Sequence, residues 1–267
     1  MVSVGREHER VTARSATPDV VIGGAPRSGT TFLCELLAKH PQVYVAKPYI
    51  PEPKVCMTPH PAGNTGLLDR YASFFAEAPP QSVRVEKTSY YFENADARER
   101  LARLLPEARF AFILREPVAR AFSNWSRTRS QGLETLPFEQ AVEQDESTRP
   151  VPLPPDRAYA RPFDYLTRGR YGSFAQAWID AVGRSRIFFY LLEEAMTTPE
   201  PFVEQLQRFV GVEPLPWPRI STGRINAGED DAHTIDAALA ARLRRGFAPE
   251  VERLARLTGL DVTIWGY

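Results

Sequence analysis

The stretch GGAPRSGTTFLCEL, Gly23 to Leu36, has the makings of an anion site. It follows a short apolar run, DVVIGG, and opens into a helical pattern with Phe32, Leu33, Leu36 and Leu37 at helical spacing. A glycine loop at that junction leaves the first N–H groups of the helix free, and the helix dipole adds positive potential there. The stretch nearly spells the nucleotide-binding pattern GxxxxGK[ST], but Thr30 stands where the lysine belongs. In ATPases and kinases that lysine reaches the β- and γ-phosphates, and the hydroxyl after it holds Mg²⁺. Here the loop's cation is Arg27, and the apolar run RFAFIL (109–114) ends on Arg115 where a metal-binding acid would be wanted. Arg27, Ser28, Gly29, Thr30 and Thr31 therefore predict a site for an anion bound without magnesium.

The elements that must carry this loop read as alternating strands and helices. SVRVEK (82–87) precedes a helix near 94–105, RFAFIL precedes one near 117–130, and RIFFYL (186–191) precedes one near 199–210. Unbroken apolar strands joined through helix-length connections predict a parallel sheet covered on both faces. The expected fold class is α/β, a single P-loop-like domain over 19–267, with ligands at the carboxyl ends of the strands. Residues 1–18 are polar and lack the apolar stretch of a signal peptide, so they predict a flexible leader. Prolines crowd the segment 137–165, which predicts a surface excursion; a rigid loop and a lid over an acceptor pocket both fit that composition. The run 234–257 is helical, and DVTIWGY closes the chain.

Composition narrows the function classes. Among 267 residues, 43% are hydrophobic and 25% charged, as in an ordinary globular enzyme. Lys plus Arg equals Asp plus Glu at 33 each, so no global basic field points to nucleic acid or an anionic membrane as a partner. Any anion site has to be built locally. Cys34 and Cys56 are the only cysteines and the four histidines are scattered, which predicts neither a disulfide framework nor a metal centre. No segment approaches the ~20 apolar residues of a membrane span, so a soluble, cytoplasmic protein is expected. The abundance of Arg and Ala suggests a GC-rich bacterial source.

Several motifs then converge on one family. PRSGTT (26–31) resembles the 5′-phosphosulfate loop of sulfotransferases that use 3′-phosphoadenosine 5′-phosphosulfate (PAPS). REPVARAFS (115–123) resembles their 3′-phosphate motif, and VEKTSY (85–90) resembles the E-K-[ST]-x-x-Y segment of the heparan sulfate enzymes. GRINAG (223–228) falls where that group has a late cation-rich loop, and PRSGTT also occurs in tyrosylprotein sulfotransferases. The resemblance implies PAPS as co-substrate, adenosine 3′,5′-bisphosphate (PAP) as product, and no required metal. It implies that Arg27 to Thr31 hold the phosphosulfate, that Arg115 and Ser123 hold the 3′-phosphate, and that Arg224, with Arg219 as a second candidate, closes over the nucleotide. It places the general base at Glu52, with Lys87 and Arg27 flanking the transferring sulfonate; His60 is the rival base.

At Glu52 the chain departs from the family, with Pro53, Lys54, Val55 and Cys56 where an aromatic-rich E-x-H-F-F stretch is common. The acceptor is accordingly read as a hydroxyl of a small molecule or glycoside, as in natural-product biosynthesis, with a polysaccharide or tyrosyl peptide as alternatives. Competing readings are an NTP-dependent, kinase-like transferase and a non-catalytic nucleotide-binding protein.

Overall fold

The structure is a computed structural model and describes residues 16–144, 149, 153–216 and 235–267. Five strands form one parallel sheet: β1 (Val20–Gly24), β2 (Val43–Val45), β3 (Val83–Lys87), β4 (Arg109–Leu114) and β5 (Ile187–Leu191), in the spatial order β2-β3-β1-β4-β5. Strand β1 is central, with Val20 beside Val85 of β3 on one side and beside Arg109 of β4 on the other. The chain thus runs outward from β1 in one direction, returns, and continues in the other. That reversal leaves a crevice at the carboxyl ends of β1, β3 and β4.

Because successive strand residues point to opposite faces, each apolar run feeds two cores. Val20 and Ile22 of β1, with Ala111 and Ile113 of β4, pack against α1 (Thr30–Ala38), α7 (Leu192–Thr197) and α8 (Pro199–Val210). Val21, Phe110, Phe112 and Leu114 face the other way. There they meet the larger layer of α2 (Gly63–Phe74), α3 (Ala95–Leu104), α4 (Pro117–Ser130), α6 (Tyr171–Val182) and α9 (Ala237–Thr258). Trp178 of α6 is the centre of that layer, with its ring 4.8 Å from Phe110 and 4.9 Å from Phe112. Its indole N–H donates to the Phe92 carbonyl at 3.0 Å, so the buried polar edge is satisfied.

Local chemistry sets the helix starts. Pro117 occupies the first turn of α4, where its missing N–H costs nothing, and the Glu116 side chain accepts from Ala119 N–H at 2.6 Å. Asn94 caps α3 in the same way, accepting from Ala97 N–H at 2.8 Å. Helix α1 is different: Gly29 precedes it at φ 87°, no side chain caps it, and its first turn holds no acid. Its leading N–H groups are left for something else.

The segment 137–165, expected to be a surface excursion, is partly interior. Phe138 and Ala141 of the short helix α5 (Phe138–Ala141) are buried, as are Phe163 and Tyr165, because these apolar side chains extend the core beside α4. Tyr165 donates its hydroxyl to Glu134 at 2.7 Å, fixing the return of the segment. The expected C-terminal helix appears as α9, after which a short 3-10 turn, Val262–Trp265, brings Trp265 against Tyr171. Among the described residues no helix is long and apolar enough to cross a membrane.

Candidate active site

Three loops at the carboxyl edge of the sheet meet around the start of α1. The first is the glycine loop itself. Ala25 N–H donates to the Ile113 carbonyl of β4 at 2.8 Å, anchoring the loop between β1 and β4. Gly24 has φ 156°, and a Cβ there would lie 2.6 Å from Phe92 Cβ and 2.9 Å from the Ser89 carbonyl oxygen. A side chain is excluded by that close approach. Arg27 adopts φ 67°, a left-handed conformation unusual for a residue with a Cβ, and such strain is common where a side chain must be aimed.

The second loop follows β3. Thr88 N–H donates to the Ile22 carbonyl at 3.0 Å and Phe92 N–H to the Gly23 carbonyl at 2.8 Å, clamping residues 88–92 onto the end of β1. The third follows β2 and carries Glu52. Its carboxylate oxygen Oε1 accepts from Ser89 Oγ at 2.8 Å and Ser89 N–H at 3.3 Å, and lies 2.8 Å from Lys87 Nζ. The same ammonium donates to Thr31 Oγ1 at 3.2 Å, so one cation bridges the carboxylate and the first turn of α1. The Lys87 and Glu52 side chains are only 6% and 12% exposed, which strengthens the pair relative to a surface ion pair. Glu52 Oε2 is buried and has no hydrogen-bond partner. A buried acceptor left open this way is costly unless a ligand fills it.

The strand-ending Arg115 and Ser123 of α4 complete the edge. Arg27 Nε donates to Ser123 Oγ at 3.2 Å, joining the glycine loop to the motif at the end of β4. Burial first, then the charges of Arg127, Arg115 and Arg120, push the Arg27 guanidinium below its usual pKa, against an opposing contribution from Tyr90. These arginines repel one another, and neither Arg115 nor Arg127 has a side-chain hydrogen bond or ion pair to a described residue. Arg120 is fully buried, bonds the Tyr165 carbonyl, and leaves Nε and Nη1 without partners. Gathered cations beside an uncapped helix N-terminus make a strong site for a polyanion.

The structure therefore brings Arg27, Ser28, Gly29, Thr30, Thr31, Glu52, Lys87, Arg115 and Ser123 to one edge. Ser28 is fully buried there, with its Oγ unpaired. Arg224 and Arg219 lie outside the described residues. His60, the rival base, accepts from Ala62 N–H at 3.1 Å and packs on Gly66 at the start of α2, a local structural role. Lys54 stands at φ 54° with its ammonium 5.8 Å from the Tyr90 ring and 5.5 Å from that of Tyr159.

Sequence reasoning missed Ser89, which holds the Glu52 carboxylate, and the cations Arg120 and Arg127. Arg127 was within reach, since it follows Ser123 by four residues on one helix and so shares its face. Among the described residues, no group of three His, Cys, Asp or Glu side chains is placed to hold a metal ion.

Comparison with known proteins agrees with this geometry. The family model described as the sulfotransferase family matches residues 18–218. Mouse bifunctional heparan sulfate N-deacetylase/N-sulfotransferase 3 is 26% identical over 220 residues, covering 78% of this chain and 24% of that protein. Human heparan sulfate glucosamine 3-O-sulfotransferase 6 is 26% identical over 199 residues, covering 74% of this chain and 54% of that one. The chain thus spans between a quarter and about half the length of these curated relatives. The crystal structure of a sulfotransferase from Alicyclobacillus acidocaldarius shares the fold, with a TM-score of 0.75 at 24% identity over 94% of this chain and 99% of its own. With the family match extending from the entry to β1 past the end of α8, the chain belongs to the sulfotransferase family.

Proposed function

We propose that this chain moves the sulfuryl group of PAPS to a hydroxyl of a small molecule or glycoside, with Glu52 as the general base. The observation that carries the reading is the Lys87 bridge. A single ammonium contacts both the open-ended Glu52 carboxylate and the first turn of the anion loop, so a proton acceptor and an anion cradle share one cation. PAPS, when bound, supplies an activated sulfuryl group on a phosphate leaving group; everything else is the work of side chains.

The residues present fit such a donor. The uncapped start of α1, with Ser28 Oγ and Arg27, is suited to the phosphosulfate. Arg115 and Ser123 are suited to a second phosphate, and the Arg27–Ser123 bond fixes the two devices relative to each other. Lys87 orients Glu52 and opposes negative charge that builds up on the sulfonate oxygens. Glu52 Oε2, the unpaired oxygen, is the atom available to take the acceptor proton. Arg115 at the end of β4, in place of an acid, leaves that position unsuited to the Mg²⁺ of a kinase-like enzyme.

The named substrates of the curated relatives are heparan sulfate, a polyanion. The zero net charge of this chain and the Tyr90–Tyr159 pair beside Lys54, with ring centroids 5.7 Å apart, favour a smaller acceptor. Incubation with PAPS and a panel of phenols, glycosides, amines and heparan oligosaccharides, read by mass spectrometry, tests this. Sulfation of hydroxyl compounds is expected; transfer only to amines or only to polysaccharide would overturn the acceptor assignment.

Arg115 acts far from the reacting centre in this scheme. Arg115→Ala is expected to weaken PAP binding at least tenfold, in line with loss of a charge-assisted contact to phosphate. Unchanged PAP affinity by calorimetry would remove Arg115 from the donor site.

A further inference from the structure

The residue next to Lys87 has no assigned role. Glu86 lies in β3, fully buried and paired with Val21 of β1, in a strand that also carries the buried Arg84 and Lys87. A carboxylate there is expensive unless it is hydrogen-bonded. It is bonded three times: Oε1 accepts from Thr88 Oγ1 at 2.7 Å and Tyr91 OH at 3.0 Å, and Oε2 from Tyr71 OH at 3.1 Å.

Each of those hydroxyls reaches the loop that carries Glu52. Lys54 N–H donates to Thr88 Oγ1 at 3.0 Å, Cys56 N–H donates to Tyr91 OH at 3.1 Å, and the Cys56 thiol lies 3.4 Å from Tyr71 OH. The loop amides donate into hydroxyls, and the hydroxyls donate into Glu86. Two relays therefore run one way, and both end on Glu86 Oε1, which holds them most tightly as an ionised carboxylate. Residues 52, 54 and 56 are pinned in turn to Ser89, Thr88 and Tyr91, all within the five residues that follow Glu86.

From this network we infer that Glu86 is a positioning residue for the Glu52–Lys87 pair, holding the Glu52 loop through Thr88, Tyr91 and Tyr71. It rests on the sulfotransferase reading for the meaning of that pair, but not for the anchoring itself. A purely structural carboxylate would be replaceable by a neutral isostere, since buried charges rarely add net stability. A carboxylate whose charge tightens two relays would not.

Protonation gives the test its handle. Burial pushes Glu86 up to about 7, with the nearby Glu52 charge adding to it and the three hydroxyls opposing. The other groups around the network are Arg100, which bonds the Cys56 and Met57 carbonyls at 2.9 and 3.1 Å, Arg70 on the Pro53 carbonyl at 3.4 Å, and Arg84 earlier in β3. Below about pH 7 the carboxyl is neutral and its hold on the three hydroxyls weakens, because a hydrogen bond to a charged acceptor is stronger than one to a neutral acceptor. Stability runs the opposite way: the folded value lies above the unfolded one of 4.5, so this group's contribution is fully present below 4.5 and is lost as pH rises through about 7.

Cys56 reports the loop, and Cys34 is an internal reference in the core on the other face of the sheet. Both thiols are buried and raised to about 12, and the Glu86 charge raises Cys56 but not Cys34, so each alkylation rate is divided by the thiolate fraction titrated at that site before the ratio is taken. Reaction with N-ethylmaleimide, resolved by peptide mass spectrometry, is expected to show the Cys56:Cys34 rate ratio rising about tenfold between roughly pH 8 and 6, the loss of about one hydrogen bond to a charged group. In Glu86→Gln the ratio is expected to be high and flat with pH, while PAP affinity stays within about threefold of the parent. A pH-independent ratio in the parent protein overturns the proposal, and this arm needs no variant to fold. An unchanged ratio in Glu86→Gln with normal PAP binding overturns it too. Failure of the parent to bind PAP would instead sink the sulfotransferase reading and leave the alkylation result standing.

Discussion

Lys87→Ala is expected to lower turnover ~10²–10³-fold, about 2.7–4 kcal/mol of transition-state stabilisation, while PAP binds nearly as before. The asymmetry follows from where the ammonium sits. Lys87 is 2.8 Å from Glu52 and 3.2 Å from Thr31, at the junction between proton acceptor and anion loop, and its side chain is almost fully buried. Phosphate binding has other means, in the uncapped start of α1 and in Arg27 and Arg115. Charge developing on the sulfonate has fewer, so loss of Lys87 acts on the transition state more than on the bound donor. Steady-state kinetics with PAPS, paired with PAP calorimetry, checks this. A large loss of PAP affinity with normal turnover at saturation would place Lys87 on the donor phosphates instead.

For Glu52→Gln, the expected fall in turnover is ~10²–10⁴-fold, the range for loss of a positioned general base. Glutamine matches glutamate in shape and still accepts from Ser89 Oγ and Lys87 Nζ, so PAP affinity should hold, while thermal stability falls because the buried Lys87 ammonium loses its counter-charge. What it lacks is a basic Oε2, the buried atom left without a partner. Retention of most activity would contradict the assignment and turn attention to His60. That histidine is already engaged at the start of α2 through Ala62 N–H, and His60→Ala is expected to leave turnover within about threefold of the parent.

Strands β1, β4 and β5 were legible because a parallel sheet buried on both faces writes itself as unbroken apolar runs such as RFAFIL, whereas β3 shows only Val83 and Val85 among three charges. Strand β2 was not, being three residues long at the sheet edge with Val43 and Tyr44 only half-buried. Helix α2 was equally quiet: GNTGLLDRYASF buries only Gly66, Leu67 and Tyr71, too sparse a stripe to register. The segment 137–165 misled because proline content reports backbone restriction, whereas burial there is decided by Phe138, Phe163 and Tyr165. Within the site, contacts local in sequence were readable, as in the glycine loop and the strand-ending Arg115. Contacts between distant segments were not. Ser89 finds Glu52 across 37 residues and Arg27 finds Ser123 across 96, pairings that only the sheet order brings about. Glu86 was visible as an acid in a strand that also carries Arg84 and Lys87, but its reason lies in Tyr71 from α2 and in the loop at Lys54 and Cys56.

The central claim is that this loop, with Thr30 at the usual lysine position and Arg27 as its cation, serves a nucleotide phosphorylated at both its 3′ and 5′ positions, without metal. Calorimetric titration with PAP in the presence of a chelator, set beside titration with ADP and Mg²⁺, tests it most directly. The account predicts metal-free PAP binding at least ~10²-fold tighter than ADP, since the cations around Arg115 meet a phosphate only in the former. A preference for ADP with Mg²⁺, or equal affinity for the two, would contradict it.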